Sequence, residues 1–269
     1  MATAEISAQL VRELRERTGA GMMDCKRALQ ETNGDMEAAI VLLREKGMAQ
    51  AAKRADRATT EGAVGYILAE DGSKGSMVAV GCETEPVSKS DEFQAYATKV
   101  LQAVHADGID AASSLESERV DLSAKLGENI VVAGAARFQP LENGRLAAYV
   151  HPPANKLGVL VNLRGGDDEL GRKLAMHIAA SNPQWISRED VPADALAAER
   201  EIYANSDEVQ SKPEQAREKI VDGMLNKRFF GANVLADQPW IHDDSKNVGQ
   251  VLQEAGAEVL EFQRFSVAG

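Results

Sequence analysis

The stretch Leu14-Arg-Glu-Arg-Thr-Gly-Ala-Gly-Met-Met-Asp-Cys-Lys-Arg-Ala-Leu29 is typical of one helix that ends, a short break, and a second helix that begins. Gly19 and Gly21 mark the break, because glycine inside a helix costs about 1 kcal/mol relative to alanine. Each side carries one apolar stripe, made of Leu10, Val11 and Leu14 before the break and of Cys25, Ala28 and Leu29 after it. The stretch therefore predicts two short amphipathic helices that pack together.

A third helix is predicted after the turn Asn33-Gly34-Asp35, where Asp35 is placed as the N-cap. Its stripe is Met36, Ile40 and Leu43, and Gly47 stands where a C-cap is expected. Helices of about ten residues are not stable singly, so we expect a compact three-helix module with an exposed face available to a partner. The alanine-rich, basic segment Met48 to Thr60 is predicted to be a helical or extended connector.

A unit of strands and helices is predicted beyond the connector. It has a hairpin that turns at Asp71-Gly72, a helix from about Asp91, a helical stretch from Glu118 to Leu126, and a closing strand from Ile130 to Phe138. The alternation of strand and helix patterns indicates an α+β unit.

The same order then repeats, with a hairpin around Pro152-Pro153 and a helix that follows it. That helix carries Leu170, Leu174, His177 and Ile178. The closing strands of both units end on Arg-Phe, at Arg137-Phe138 and Arg264-Phe265, which leaves an internal duplication and coincidence equally open.

A charged insertion precedes the last strand. Ala195 to Tyr203 has a helical pattern, and Ser211-Lys-Pro-Glu214 is predicted to be a capping box that starts another helix. The second helix carries Ala216, Ile220 and Met224 on a narrow stripe. An antiparallel helical hairpin that projects toward a partner and an ordinary pair packed on the core both fit this pattern.

The predicted fold class is therefore α+β with four parts. Residues 1–55 form a helical partner-binding domain with its connector, and residues 56–140 form the first core subdomain. Residues 141–192 and 231–269 form the second core subdomain, and residues 193–230 form the inserted helical hairpin.

The composition favours a protein partner. A net charge of -12 and a pI near 4.9 argue against broad contact with nucleic acid, whose binding depends on lysine and arginine. The basic run Lys53, Arg54 and Arg57 is interpreted as a solvated helix face. The chain has no apolar run near the roughly 20 residues of a membrane helix, and Met1 to Ser7 lacks the regions of a signal peptide. We expect no membrane contact and a cytoplasmic location.

The sequence contains no pattern for covalent catalysis. P-loop, GxSxG, HExxH and dinucleotide-binding fingerprints are missing, the two cysteines have no CxxC spacing, and the four histidines have no metal-ligand spacing. We predict no catalytic residue, metal or cofactor. His177 lies on an apolar stripe and is expected in the core or at its edge, whereas His151 ends a strand and either packs in a turn or projects outward.

Several short segments of the sequence resemble motifs of the elongation factor Ts family, and they occur in the same order as in the family. The most specific is Thr18 to Leu29, within the opening stretch. The others are Asn33-Gly-Asp35, Glu61-Gly62, Lys125-Leu-Gly-Glu-Asn-Ile130, Leu157-Gly-Val-Leu-Val161, Ala175-Met-His-Ile-Ala-Ala180, and Lys212-Pro213 with Ile220-Val221. The resemblance covers nearly the whole chain.

The resemblance implies an N-terminal ubiquitin-associated-like helical domain, a core of two α+β subdomains, and a helical hairpin inserted in the second. It also implies an activity by contact, the release of GDP from the GTPase elongation factor Tu. The helical domain would dock on the partner's G domain, which places four residues at or near that contact: Arg15, Met22, Met23 and Lys26. Core filling is the alternative role for the two methionines.

In the family, a Thr-Asp-Phe-Val loop after the second strand pushes into the partner near its magnesium and helps to dislodge the ion. The corresponding residues here are Thr84, Glu85, Pro86 and Val87, so a proline replaces the aromatic wedge and the carboxylate is one methylene longer. His151 falls where the family has a core-domain histidine that reaches the same partner.

Two other functions stay open on the residues alone, and so does the oligomeric state. One is an adaptor or holdase whose helical head binds peptides, and the other is a hydrolase that uses His151 with a nearby carboxylate. A homodimer and a 2:2 assembly with the partner are both compatible with the sequence.

Overall fold

The computed structural model describes residues 6–141 and 144–267, so most of the Met1 to Ser7 segment lies outside the described residues. Its first part consists of α1 (Ala8–Thr18), α2 (Met22–Glu31) and α3 (Met36–Arg54). Gly19 ends α1 with a φ of 67°, a left-handed conformation that glycine adopts readily. The Asp35 carboxylate caps α3 by accepting from the Ala38 N–H. The three predicted helices are therefore present.

The predicted C-cap at Gly47 is wrong, because α3 continues through this residue to Arg54. Gly47 is buried where α3 crosses α6 (Glu116–Leu126), and a Cβ added to it would lie 2.9 Å from the Cβ of Ala124. The glycine thus permits a close approach of two helices and does not end one. The first half of the predicted connector is helical, and Arg57 lies beyond the helix whose face it was expected to share.

Two antiparallel three-stranded sheets follow the helices. The first contains β1 (Glu61–Leu68), β2 (Gly75–Cys82) and β3 (Val131–Phe138) in that order. The second contains β4 (Arg145–Val150), β5 (Leu157–Arg164) and β6 (Glu258–Ser266), also in chain order. Both predicted hairpins and both closing strands are confirmed.

The sheets pack face to face, and each carries a helix on its outer face. Met77 on β2 and Leu160 on β5 meet in the apolar layer between the sheets. The alternate residues of β2 pack under α5 (Asp91–Asp107), and those of β5 pack under α7 (Asp168–Ser181). Because both of its faces are covered, β2 is buried along its whole length.

The remaining α-helices of the described residues are 3 to 12 residues long. They are α4 (Glu85–Ser88), α8 (Ala193–Ala204), α9 (Asp207–Gln210), α10 (Glu214–Met224), α11 (Gly231–Asn233) and α12 (Val248–Glu254), with a π-helical segment at Leu225–Phe230. The helices α8 to α10 share an apolar cluster with residues that flank the insertion, including Val191 and Val234. This packing fits the alternative of a helix pair that lies on the core.

The predicted capping box at Ser211 is wrong. The helix α10 begins at Glu214 with Pro213 as its N-cap residue. Ser211 follows α9, and its hydroxyl donates to the carbonyl of Glu208 at 3.2 Å. The hydroxyl is thus used to close the preceding helix, while proline, which has no N–H to satisfy, suits the start of the next.

Candidate partner-binding site

The segment predicted as a partner-contacting loop, Thr84 to Val87, is a helical turn. The chain leaves β2, bends at Thr84 and enters α4, in which Pro86 takes the second position. Proline is tolerated there because the first N–H groups of a helix have no intrahelical acceptor. Thr84, Glu85 and Pro86 are exposed, and the half-buried Val87 packs on the apolar cluster beneath α5. The turn therefore presents an exposed tip on an apolar anchor.

The charge of the turn is internally compensated. The Glu85 carboxylate lies 2.6 Å from the Lys89 Nζ, one helical turn away, and both side chains are exposed. This hydrogen bond holds the pKa of Glu85 below its usual range. Glu85 is thus ionised at neutral pH, and its charge is shared with an adjacent ammonium group.

The turn after β4 begins at the exposed His151, as its position before Pro152-Pro153 indicated. His151 Nδ1 lies 2.7 Å from the Tyr149 hydroxyl. The His151 N–H donates to the Leu157 carbonyl at 2.8 Å, and the Asn155 N–H donates to the His151 carbonyl at 3.0 Å. These bonds fix the turn and leave the imidazole at the surface.

The same turn is fastened to the first sheet. The Val64 N–H donates to the Asn155 carbonyl at 2.6 Å, and Lys156 Nζ lies 2.6 Å from a carboxylate oxygen of Glu61. Both side chains of this ion pair are more than two-thirds buried, so water screens their attraction less than it screens an exposed pair. The turn that starts at His151 is thereby held against β1.

A cleft of about 470 Å³ separates α4 from this turn. Its lining includes Glu85 and Lys89 on one side, residues 153–156 of the turn, the first residues of β1, and one face of α5. The structure thus brings the Thr84–Val87 turn and the loop after His151 to the same cleft. His151 itself stands at the start of that loop, outside the lining.

The head residues named by the resemblance lie on α1 and α2, outside the lining of the cleft. Met22 and Met23 are 53% and 63% exposed, and Arg15 and Lys26 are exposed as well. The core of the head is instead filled by buried residues such as Leu14, Cys25 and Leu29. Core filling is therefore wrong as the role of the two methionines.

Two buried titratable groups have structural explanations. Burial raises the pKa of Cys82 to about 12, and its thiol donates to the Thr84 carbonyl at 3.4 Å. Burial also lowers the pKa of His177, whose Nε2 lies 2.9 Å from the Gln238 side-chain oxygen and whose ring stacks on Trp240. The thiol under the turn is thus protonated at neutral pH, and the predicted core position of His177 is confirmed.

Sequence reasoning assigned no role to three residues at this site. Glu61 and Lys156 fasten the second turn, and Glu128 accepts hydrogen bonds from Thr84. Glu61 and Glu128 lie in segments that resemble the family's motifs, and this resemblance was the only indication in the sequence that they matter. Their contacts span many positions in sequence, so spacing alone could not reveal them.

Within residues 6–141 and 144–267, no group of three or more histidine, cysteine, aspartate or glutamate side chains is placed to hold a metal ion. Over the same part of the chain, no helix combines the length and apolarity that crossing a bilayer requires.

Comparison with known proteins agrees with the words quoted from the sequence. A family model described as "Elongation factor TS" matches residues 83–269. Elongation factor Ts of Thioalkalivibrio sulfidiphilus is 43% identical over 97% of this chain and 92% of its own length. The homologues of Idiomarina loihiensis and Cronobacter sakazakii are each 44% identical, over 97% and 98% of this chain and 91% and 92% of their own lengths. The chain therefore belongs to the elongation factor Ts family.

Proposed function

We propose that this protein is a guanine-nucleotide exchange factor for elongation factor Tu, which accelerates GDP release during translation elongation in the cytoplasm. The observation that carries the proposal is the end-to-end similarity to proteins named elongation factor Ts. The exposed turn at Thr84 to Val87 supports it, because a contact-based mechanism needs a presented surface and no reactive group.

Two surfaces of the chain act in this proposal. The helical head, residues 1–55, docks on the partner through Arg15, Met22, Met23 and Lys26. Methionine suits such a surface, since its flexible thioether adapts to an irregular partner. The turn Thr84 to Val87, assisted by His151, then acts on the magnesium and phosphate region of the partner. The two core subdomains, residues 56–140 and 141–192 with 231–269, fix the distance between these contacts.

Shape and charge give the turn its proposed action. Pro86 is a compact ring fixed at the tip of a one-turn helix, so it displaces partner side chains by volume and not by aromatic insertion. Glu85 carries a carboxylate that competes for cations near the partner's phosphates, provided that it separates from Lys89. Both side chains are exposed, so water screens their attraction and separating them costs little.

Several contacts must share the work. A nanomolar nucleotide complex corresponds to about 12 kcal/mol, and every tenfold weakening requires about 1.4 kcal/mol. Coupling between two sites is typically about 1–3 kcal/mol, so the head, the turn and His151 each supply part. The coupling is reciprocal, and rebinding of nucleotide therefore ejects the factor.

The test is release of a fluorescent GDP analogue from the cognate elongation factor Tu, with excess unlabelled GDP, at increasing concentrations of this protein. We expect release to accelerate and saturate, and an unrelated GTPase loaded with the same analogue should not respond. An unchanged rate with the cognate partner would refute the proposal. Binding that is equally strong with and without nucleotide would instead favour the adaptor function.

A further inference from the structure

The segment Lys125 to Ile130 has no assigned part in the proposed function, yet it lies directly against the turn. The Glu128 carboxylate accepts three hydrogen bonds from the two residues that follow β2. The N–H groups of Glu83 and Thr84 both donate to Oε2 at 3.0 Å, and the Thr84 hydroxyl donates to Oε1 at 2.5 Å. Both oxygens of one carboxylate are thus used to hold the start of α4.

The helix α4 has no side-chain cap of the usual kind. The residue before α4 is Thr84, whose hydroxyl could accept from the first turn of the helix. That hydroxyl donates to Glu128 instead, so the entry into α4 is set by a residue 44 positions away in sequence. Hydrogen bonds to an ionised acceptor are roughly twice as strong as those between neutral groups, which makes Glu128 an effective clamp.

The clamp is reciprocal. The N–H of Asn129 donates to a carboxylate oxygen of Glu83 at 2.6 Å, while the N–H of Glu83 donates to Glu128. On the other side, the Ser123 hydroxyl donates to the Glu128 carbonyl at 2.5 Å, which fixes Glu128 on the end of α6. The segment after β2 and the segment after α6 therefore each donate hydrogen bonds to the other.

The clamp also reaches the segment that leaves the helical head. The side-chain amide of the buried Asn129 donates to the carbonyls of Ala55 and Arg57, at 3.2 and 2.9 Å. The Arg57 guanidinium lies 3.4 Å from the Glu83 carboxylate. One polar cluster, Glu83, Glu128, Asn129 and Arg57, thus touches both the connector of the head and the root of the turn.

We propose that Glu128 is a positioning residue for nucleotide exchange: it holds the Thr84–Val87 turn in its presented conformation and in fixed relation to the head. This inference rests on the proposed function. A turn ordered before binding spends none of the partner's binding free energy on being ordered. Loss of the clamp therefore lowers the rate of GDP release at saturating protein, while the head still determines the concentration at which saturation occurs.

The experiment uses the full chain and three variants in the fluorescent GDP assay, with the maximal release rate and the half-saturating concentration measured separately. The first variant is Glu128→Ala, and the second is Glu128→Gln, which keeps one acceptor oxygen. The matched control is Asp190→Ala, because Asp190 also accepts from a backbone N–H and a hydroxyl, both of Ser187 and both at 2.8 Å, but lies in the second subdomain. Circular dichroism confirms that each variant is folded.

We expect Glu128→Ala to lower the maximal rate about fivefold or more, with the half-saturating concentration changed less than twofold. Glu128→Gln should fall between this variant and the wild type, and Asp190→Ala should match the wild type. Amide hydrogen exchange at Glu83 and Thr84 should accelerate in Glu128→Ala, since their acceptor is gone.

A second background shows whether Glu128 acts through the turn. In a chain with Glu85, Pro86 and Val87 all changed to alanine, adding Glu128→Ala should lower the rate no further. Additive effects would overturn the inference, and so would a normal maximal rate in Glu128→Ala when the wild type is active. If the wild type itself fails to accelerate release, the proposed function falls instead, so the two failures are distinguishable.

Discussion

Replacing Met22 and Met23 with alanine tests whether the head is a docking surface. The two side chains are 53% and 63% exposed, so about half of each is still available for burial by a partner. Complete burial of a methionine side chain contributes about 1.5–3 kcal/mol, and half of that is about 1 kcal/mol each. The double variant should therefore weaken binding by about 2 kcal/mol, or about 30-fold in Kd.

The assay is calorimetric titration of nucleotide-free elongation factor Tu with the wild type and the double variant. Met48→Ala is the matched control, because Met48 is 54% exposed but lies on α3, outside the proposed surface. Exposed substitutions change folding stability by only about 0.5 kcal/mol, so the melting curves should nearly coincide. Wild-type affinity in the double variant, or an equal loss in Met48→Ala, would refute the docking role of α2.

Three further outcomes follow from the packing. Gly47→Leu should lower the free energy of unfolding, measured in urea titrations, by about 1–3 kcal/mol, because the added side chain meets α6. The control is Gly223→Ala, which should be neutral or stabilising, because a Cβ there would meet open space in the described part of the chain. The neutral, buried His177 stabilises the fold above its unfolded pKa of about 6.5 and loses this contribution as pH falls below it, so unfolding measured from pH 7.5 to 5 should depend less on pH in His177→Gln. The buried thiols of Cys25 and Cys82, whose pKa values are raised by burial, should react with a thiol reagent at pH 8 only after unfolding in urea; rapid reaction of the folded chain would contradict this.

Local patterns predicted the elements of this fold well, because those elements are decided by local chemistry. The Asp71-Gly72 turn and the alternating residues around it specified the β1–β2 hairpin, and a run of apolar residues at helical spacing specified α5. The predictions failed where a distant contact overrides a local preference. Gly47 has the chemistry of a helix end, but the close approach of α6 gives it another use.

The residues of the candidate site could be predicted from the sequence, but their positions relative to one another could not. The resemblance marked Thr84 to Val87 and His151, but no spacing rule could show that their two segments face one cleft across β1. The fastening residues were invisible for the same reason, since Lys156 and Glu61 are 95 positions apart. Tertiary contacts of this kind depend on sheet packing, which a pattern along the chain does not encode.

The proline at position 86 changes the proposed mechanism more than it weakens it. A wedge on any segment that is not ordered before binding must be ordered at the moment of binding, which costs about 1–2 kcal/mol of backbone entropy per residue. Here Pro86 sits in a helical turn whose root is held by Glu128 and whose side is anchored by Val87. Much of that ordering is already complete in the free protein, which offsets the smaller contact area of the ring. On this argument, Pro86→Phe should raise the rate of GDP release only modestly, whereas loosening the turn should lower it by more.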